Sequence, residues 1–158
     1  MQPNSTVDDA QAAAEHAETA LRLEKAVSVL QAAQLIEVNE AQLMAMYYAT
    51  LHRLHEYLHR DGGFRKWRND YDPGARDPKW SPHTHRGDFT IQHTRLLRLI
   101  DTENDFVAIR ASWARLENRM QAARYKCSQI GGKEIVKLDR KYTEIQDHLR
   151  SLSQRFPV

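Results

Sequence analysis

Apolar side chains recur every three or four positions along most of this chain, which is the spacing of one face of an α-helix. Residues 8–36 contain neither Gly nor Pro and are rich in good helix formers, so they predict a long first helix that begins near Ser5 and Thr6. Asn39 has the side chain of a helix N-cap. The second predicted helix follows it, carries an apolar stripe and ends at "DGG", residues 61–63; the stripe is Met44, Tyr47, Leu51, Leu54 and Leu58.

Two further apolar stripes lie in the C-terminal part of the chain. A helix that begins at Thr102 carries Phe106, Ile109, Trp113, Leu116, Met120, Ala123, Cys127 and Ile130. The last helix carries Ile135, Leu138, Tyr142, Ile145, Leu149, Leu152 and Phe156. Because "GG" at 131–132 is a typical helix stop, these two helices are predicted to form an antiparallel hairpin. A short helix, capped by Asp88 and reaching Ile100, is predicted before them.

These elements predict one all-α domain over residues 1–158. No segment alternates apolar and polar residues for long enough to indicate a strand. The expected architecture is an up-and-down bundle of four long helices and one short helix. A long basic and aromatic loop, residues 60–87, joins the second helix to the third.

Charge is unevenly distributed along the 158 residues, although the formal net charge is only +2. Residues 1–50 hold 2 basic and 7 acidic side chains, and residues 51–158 hold 21 basic and 14 acidic ones. This asymmetry favours a nucleic-acid or acidic-partner surface on the later part of the chain. The alternative is that an acidic first helix packs against basic neighbours.

Several classes of function lack their sequence signals. A single cysteine, Cys127, lies on an apolar stripe and excludes an internal disulfide. No apolar run is long enough for a membrane span, and the N-terminus does not have the layout of a signal peptide, so we expect a soluble cytoplasmic protein. No Gly-rich phosphate loop is present, and no cofactor is predicted.

Histidines concentrate near the end of the second predicted helix. His52, His55 and His59 stand at i, i+3 and i+7 and share one helical face. Histidines at this spacing are compatible with metal ligation, but no acidic side chain completes the set. We therefore predict no metal site and interpret these residues as a polar helix flank, with His55 at the core boundary.

The loop at residues 60–87 combines aromatic and basic side chains, a composition that suits nucleic acid because aromatic rings stack on bases while Arg and Lys hold phosphates. Two arginines one turn apart on a later helix extend the same predicted surface. The alternative is that the tryptophans attach the loop to the bundle. The predicted binding residues are Arg65, Lys66, Trp67, Arg68, Arg76, Lys79, Trp80, His83, His85, Arg86, Arg115 and Arg119.

Three blocks in order resemble the HEPN superfamily of helical nucleotide-binding domains. "AMYYATLHRLHEYL", residues 45–58, is similar to that family's paired tyrosines followed by His. "HTHRGDFTIQHTRLL", residues 83–97, is similar to its His, Gly and Phe block. "LENRMQAARY", residues 116–125, is similar to its Arg-x-x-Ala-Asp-Tyr block, with Arg124 in place of the acid. The resemblance covers about residues 40–155.

The resemblance implies a helical bundle, often dimeric, that is encoded with a nucleotidyltransferase or in a defence system. Some members are metal-independent ribonucleases in which a His follows an Arg by a few residues. Here Arg119 has no such His, and this spacing occurs instead at Arg53 with His59, at Arg76 with His83 and at Arg86 with His93. The catalytic candidates are Arg53, His59, Arg86 and His93.

We therefore expect a non-catalytic HEPN-like module that binds RNA, a nucleotide or a partner protein in a prokaryotic defence or toxin–antitoxin system. The expected partner protein is a nucleotidyltransferase or a defence-complex subunit, and the expected assembly is a homodimer or a larger complex. The alternatives are a HEPN ribonuclease effector and a helical small subunit of a CRISPR-type ribonucleoprotein complex.

Overall fold

The computed structural model describes residues 7–61, 107–126 and 129–155, with side chains described for 10–60, 107–124 and 129–155. Four α-helices and one short 3₁₀ helix occupy these ranges, which confirms the predicted all-α class. The helices are α1 (Val7–Ala33), the 3₁₀ helix (Ile36–Val38), α2 (Asn39–Asp61), α3 (Arg110–Lys126) and α4 (Gly132–Ser153). The predicted short helix at 88–100 lies outside the described residues, as does the predicted loop from residue 62 onward.

Helix α2 is the centre of the bundle, because it contacts α1, α3 and α4. Every residue from Arg53 to Leu58 is buried, so this part of α2 is covered on all sides. A helix covered all round must bury some of its polar side chains, and such groups require partners. The packing of α2 therefore depends on polar contacts as well as on apolar ones.

Helices α3 and α4 run in opposite directions. Ser112, near the start of α3, donates to Glu144 in the second half of α4 (2.9 Å). Arg119, further along α3, pairs with Glu134 at the start of α4. These crossed contacts make α3 and α4 an antiparallel hairpin, as the two apolar stripes predict. None of the helices in the described ranges is long and apolar enough to cross a membrane.

The core is supplied mainly by α2, α3 and α4. The described residues of the predicted stripes are buried, except that Met44 is half-buried; Phe106, Cys127 and Phe156 lie outside the described side chains. The largest fully buried side chains are Tyr47, Leu43, Met46, Leu51, Leu54, Leu116, Met120, Ile130 and Ile145. Helix α1 contributes few large side chains, since its buried apolar residues are Ala13, Ala20 and Val27. Burying small side chains removes little apolar area from water, so α1 gains less from the hydrophobic effect than its length suggests.

Asn39 does not cap α2 as predicted. Its backbone is helical (φ −60°, ψ −36°), because the preceding 3₁₀ helix provides the Ile36 carbonyl as acceptor for its backbone N–H. Its side chain is instead directed across the bundle, where Nδ2 donates to the backbone carbonyl of Ile130 (2.9 Å). Asn39 therefore connects the start of α2 to the residues that precede α4.

The prediction that Gly131 and Gly132 end the third helix is wrong. Helix α3 ends at Lys126, and Gly131 is the N-cap of α4 with φ −73° and ψ 159°. The Gly131 carbonyl accepts from the backbone N–H groups of Glu134 and Ile135, both at 3.0 Å. A left-handed residue after a helix occurs at α1 instead, where Gln34 has φ 53° in a position that usually favours glycine.

Candidate nucleic-acid interface

A basic groove lies between α3 and α4. Arg115 of α3 and Lys137 of α4 line two adjoining depressions of about 500 and 420 Å³. The other lining residues are Asn118, Arg119, Glu134 and Leu138 in the first depression and Arg140, Lys141 and Glu144 in the second. We refer to these residues together as the basic groove. A concave surface in which cations outnumber acids is suited to a polyanion.

Arg119 is held at one end of the basic groove by residues of the α3–α4 connection. Its Nη2 donates to Glu134 Oε2 (3.1 Å) and to the backbone carbonyl of Gln129 (2.7 Å). The hydrogen bond to Glu134 raises the pKa of Arg119, and the same bond lowers the pKa of Glu134. Arg119 therefore shapes the groove and fixes the turn, and its charge is already compensated.

Lys141 is also compensated, at the other end of the basic groove. Its Nζ lies 3.0 Å from Glu144 Oε2, and this bond, together with the one from Ser112, lowers the pKa of Glu144. Among the described residues, Arg115, Lys137 and Arg140 form no salt bridge. These three side chains therefore carry the positive charge of the groove that no salt bridge holds, although the charge of Arg115 also contributes to lowering the pKa of Glu134.

The two arginines predicted from the sequence, Arg115 and Arg119, both reach the basic groove, but with different roles. Sequence reasoning missed the contribution of α4. The signal was present, since Lys133, Lys137 and Lys141 recur at four-residue spacing between the apolar positions of the last helix. In the sequence alone such a row indicates only a solvent-exposed helix face. Its role in a groove becomes visible once α3 is known to place arginines beside it.

The structure brings together two of the three blocks that resemble the HEPN superfamily. Tyr47 is hydrogen-bonded to Glu117 of α3, and burial followed by the charge of Glu117 raises the pKa of Tyr47 well above its ordinary value. The neighbouring hydroxyl of Tyr48 accepts from Arg124 Nη1 (2.7 Å). Arg124 stands where the family pattern has an acid, and here it links α3 to α2. The paired tyrosines thus connect α2 to α3.

Arg53, a predicted catalytic candidate, is buried in a network of ion pairs. Its Nε and Nη2 donate to Glu24 of α1 (2.8 and 3.1 Å), and its Nη1 donates to Glu56 (2.8 Å). Glu56 also accepts from Arg60, and Glu24 also accepts from Arg150 of α4. Burial opposes the charge of Arg53, but its hydrogen bonds to Glu24 and Glu56 outweigh burial and raise its pKa.

His59, the expected partner of Arg53, faces a different neighbour. Its ring stacks on His16 of α1, with ring centroids 5.5 Å apart and an interplanar angle of 16°. Arg53 and His59 thus contact separate groups of α1 and do not form one arrangement around an open surface. His16 was not identified from the sequence, although it is a lone polar ring beside Ala13 and Ala20 on the buried stripe of α1.

Most of the predicted binding residues lie outside the described ranges. They are Arg65, Lys66, Trp67, Arg68, Arg76, Lys79, Trp80, His83, His85 and Arg86, and the catalytic candidates Arg86 and His93 belong to the same segment. Within the described ranges, no group of three or more His, Cys, Asp or Glu residues has the geometry to hold a metal ion.

The fold and the groove define this chain as an all-α helical bundle with a cationic face between its last two helices. Comparisons with protein-family models, with curated proteins and with solved structures found no match.

Proposed function

We propose that this chain is a non-catalytic, HEPN-like module that binds RNA. The observation that carries the proposal is the basic groove, where Arg115, Lys137 and Arg140 come from two helices and form no salt bridge with a described residue. Arg and Lys in a groove bind the phosphates of a nucleic-acid strand and release its counterions, which supplies most of the affinity.

The rigidity of the groove supports binding to a backbone of regular charge. At one end Arg119 of α3 pairs with Glu134 of α4, and at the other Ser112 of α3 donates to Glu144 of α4, so the walls are held in place before a ligand arrives. A preformed site loses less side-chain entropy on binding. The aromatic and basic segment predicted between α2 and α3 is the expected source of base stacking, which the groove itself does not offer.

RNA is preferred to other polyanions because of the resemblance to the HEPN superfamily. The same resemblance is the basis for proposing a defence or toxin–antitoxin context, with a homodimer or a complex as the working form. The resemblance to the HEPN superfamily also suggests a ribonuclease as the alternative. However, the ion pairs of Arg53 with Glu24 and Glu56 favour a structural role for that side chain. The proposal therefore assigns binding, rather than cleavage, to this chain.

Salt-dependent binding tests the proposal. Fluorescence anisotropy of a labelled single-stranded RNA is followed over a series of salt concentrations for the wild type and for the double variant R115A/K137A. The control R22A/K25A removes the same charge from α1. We expect R115A/K137A to reduce the slope of log K against log salt by about 2, about one for each lost phosphate contact.

The control is expected to retain the wild-type slope, because Arg22 and Lys25 lie on a different helix. Equal weakening in both variants would show that net charge, and not the groove, determines the affinity. Absence of binding at the lowest salt concentration would refute the proposal for RNA. RNA cleavage by the wild type that is lost in H59A or H93A would instead establish the ribonuclease alternative.

A further inference from the structure

Four histidines meet on the interface between α1 and α2, on a part of the bundle that the basic groove does not include. The ring of His16 in α1 has its centroid 5.0 Å from that of His52, 4.8 Å from that of His55 and 5.5 Å from that of His59. We call these four residues the histidine cluster. His55 is 1% exposed, and the other three are partly buried.

One contact within the histidine cluster limits how many protons the His16–His52 pair can hold. The Nδ1 atoms of His16 and His52 lie 2.8 Å apart, which is a hydrogen-bond distance. One of these nitrogens must carry a hydrogen, and the other must offer a lone pair, so its ring is neutral with the proton on Nε2. If both rings were cationic, two N–H groups would point at each other. The observed contact is therefore compatible with at most one positive charge on this pair.

The surroundings of the His16–His52 pair disfavour even a single positive charge on it. Burial lowers the pKa of His52, and the positive charge of Arg22 on α1 lowers it further. The acids of α1 nearest to His16 in sequence, Glu15 and Glu18, are exposed to solvent. Because the pKa of His52 in the folded chain lies below its ordinary value of about 6.5, the unfolded chain binds this proton more readily.

Four charged side chains on these two helices pair with one another: Glu24, Arg53, Glu56 and Arg60. On α2, Arg53 and Arg60 both pair with Glu56. On α1, Glu24 pairs with Arg53 and with Arg150, the residue that α4 contributes. The contacts of Glu24 anchor the middle of α1, about two turns beyond His16.

We propose that the histidine cluster is a pH-dependent contact between α1 and α2 that protonation breaks. A second proton on the His16–His52 pair converts the acceptor Nδ1 into a donor, breaks the hydrogen bond and places two cations among four packed rings. The N-terminal part of α1, up to the anchor at Glu24, then separates from α2, while the rest of the bundle stays folded. Deprotonation restores the hydrogen bond and the packing of α1 against α2.

Hydrogen exchange of the full chain tests the proposal at pH values on either side of the ordinary histidine pKa of about 6.5. After correction for intrinsic rates, amides of residues 10–20 are expected to lose protection on acidification, whereas those of α4 keep it. For each additional proton that the open state binds, opening becomes about tenfold more favourable per pH unit. The control variant H148Q, on α4, keeps this response.

The variant H16Q retains a polar side chain that cannot become charged, and it is expected to abolish the pH response of residues 10–20. H52N removes the other member of the pair and is expected to do the same, so the test does not depend on one variant folding. An unchanged response in either folded variant would overturn the proposal. Equal loss of protection in α4 would also overturn it, and so would protection of residues 10–20 by added Zn²⁺ at neutral pH, which would identify a metal site.

Discussion

Replacing Glu24 by Gln removes an acid that joins three helices of this bundle. Its carboxylate is 12% exposed and accepts from Arg53 of α2 and from Arg150 of α4. The substitution keeps the shape of the side chain and deletes its charge. Arg53 is then left buried with one acid, Glu56, where it had two.

The expected loss follows from the burial of these groups. Removing one member of a buried ion pair typically costs about 3–5 kcal/mol, because the other charge stays out of water without compensation. Arg53 keeps its bond to Glu56, which places E24Q near the lower end, at about 3 kcal/mol. The contact to the half-exposed Arg150 adds less than about 1 kcal/mol. Since domains are stable by only about 5–15 kcal/mol, this loss is large.

Urea unfolding followed by far-ultraviolet circular dichroism measures the effect. The matched control is E18Q, which changes an exposed acid of the same helix and is expected to lie within about 0.5 kcal/mol of the wild type. The double variant E24M/R53M removes both charges and is expected to recover most of the stability that E24Q loses. An E24Q stability equal to that of E18Q would refute the argument, because it would mean that solvent already compensates Arg53.

Three further predictions concern local contacts, all measured by the same unfolding assay. N39A is expected to cost about 1–3 kcal/mol, because it leaves a buried backbone carbonyl without its donor; a neutral result would show that water replaces the amide. G131S is expected to add about 0.5–1 kcal/mol, since an added Cβ meets nothing within 4 Å and the N-cap gains a side-chain acceptor; destabilisation would contradict the open space around this residue. Y47F is expected to cost about 1–3 kcal/mol by removing the donor to buried Glu117, whereas Y48F, whose hydroxyl meets an exposed arginine, is expected to stay within about 0.5 kcal/mol; equal effects would contradict the difference in burial.

The helices with regular stripes of large residues are the part of the fold that can be predicted from the sequence. In α4, Ile135, Leu138 and Tyr142 are all buried as their spacing requires. The pattern is unambiguous because only one helical face offers enough apolar area to form a core. Helix α1 is different, since alanines occur on several of its faces and the periodicity does not distinguish the buried one.

Side-chain partners from other helices are the part that cannot be predicted from the sequence. Arg115 and Arg119 look equivalent in the sequence, yet among the described contacts it is Arg119 that forms a salt bridge with Glu134. Which acid meets which arginine depends on how far two helices are displaced along each other, and no local pattern encodes that distance. The same reason explains why Glu24 and His16, both on α1, were not identified beforehand.

The ion pair between Glu24 and Arg53 has a consequence for the register of α1 on α2. A stripe of alanines fits against leucines almost equally well after a shift of one helical turn, about 5.4 Å. Such a shift would place Ala20 or Ser28 opposite Arg53 in place of the acid. Arg53 would keep Glu56 but lose Glu24, which costs about 3 kcal/mol and strongly disfavours the shifted arrangements. Apolar contacts alone would leave several registers of α1 on α2 nearly equal in free energy. The polar residues of α1 select one of them.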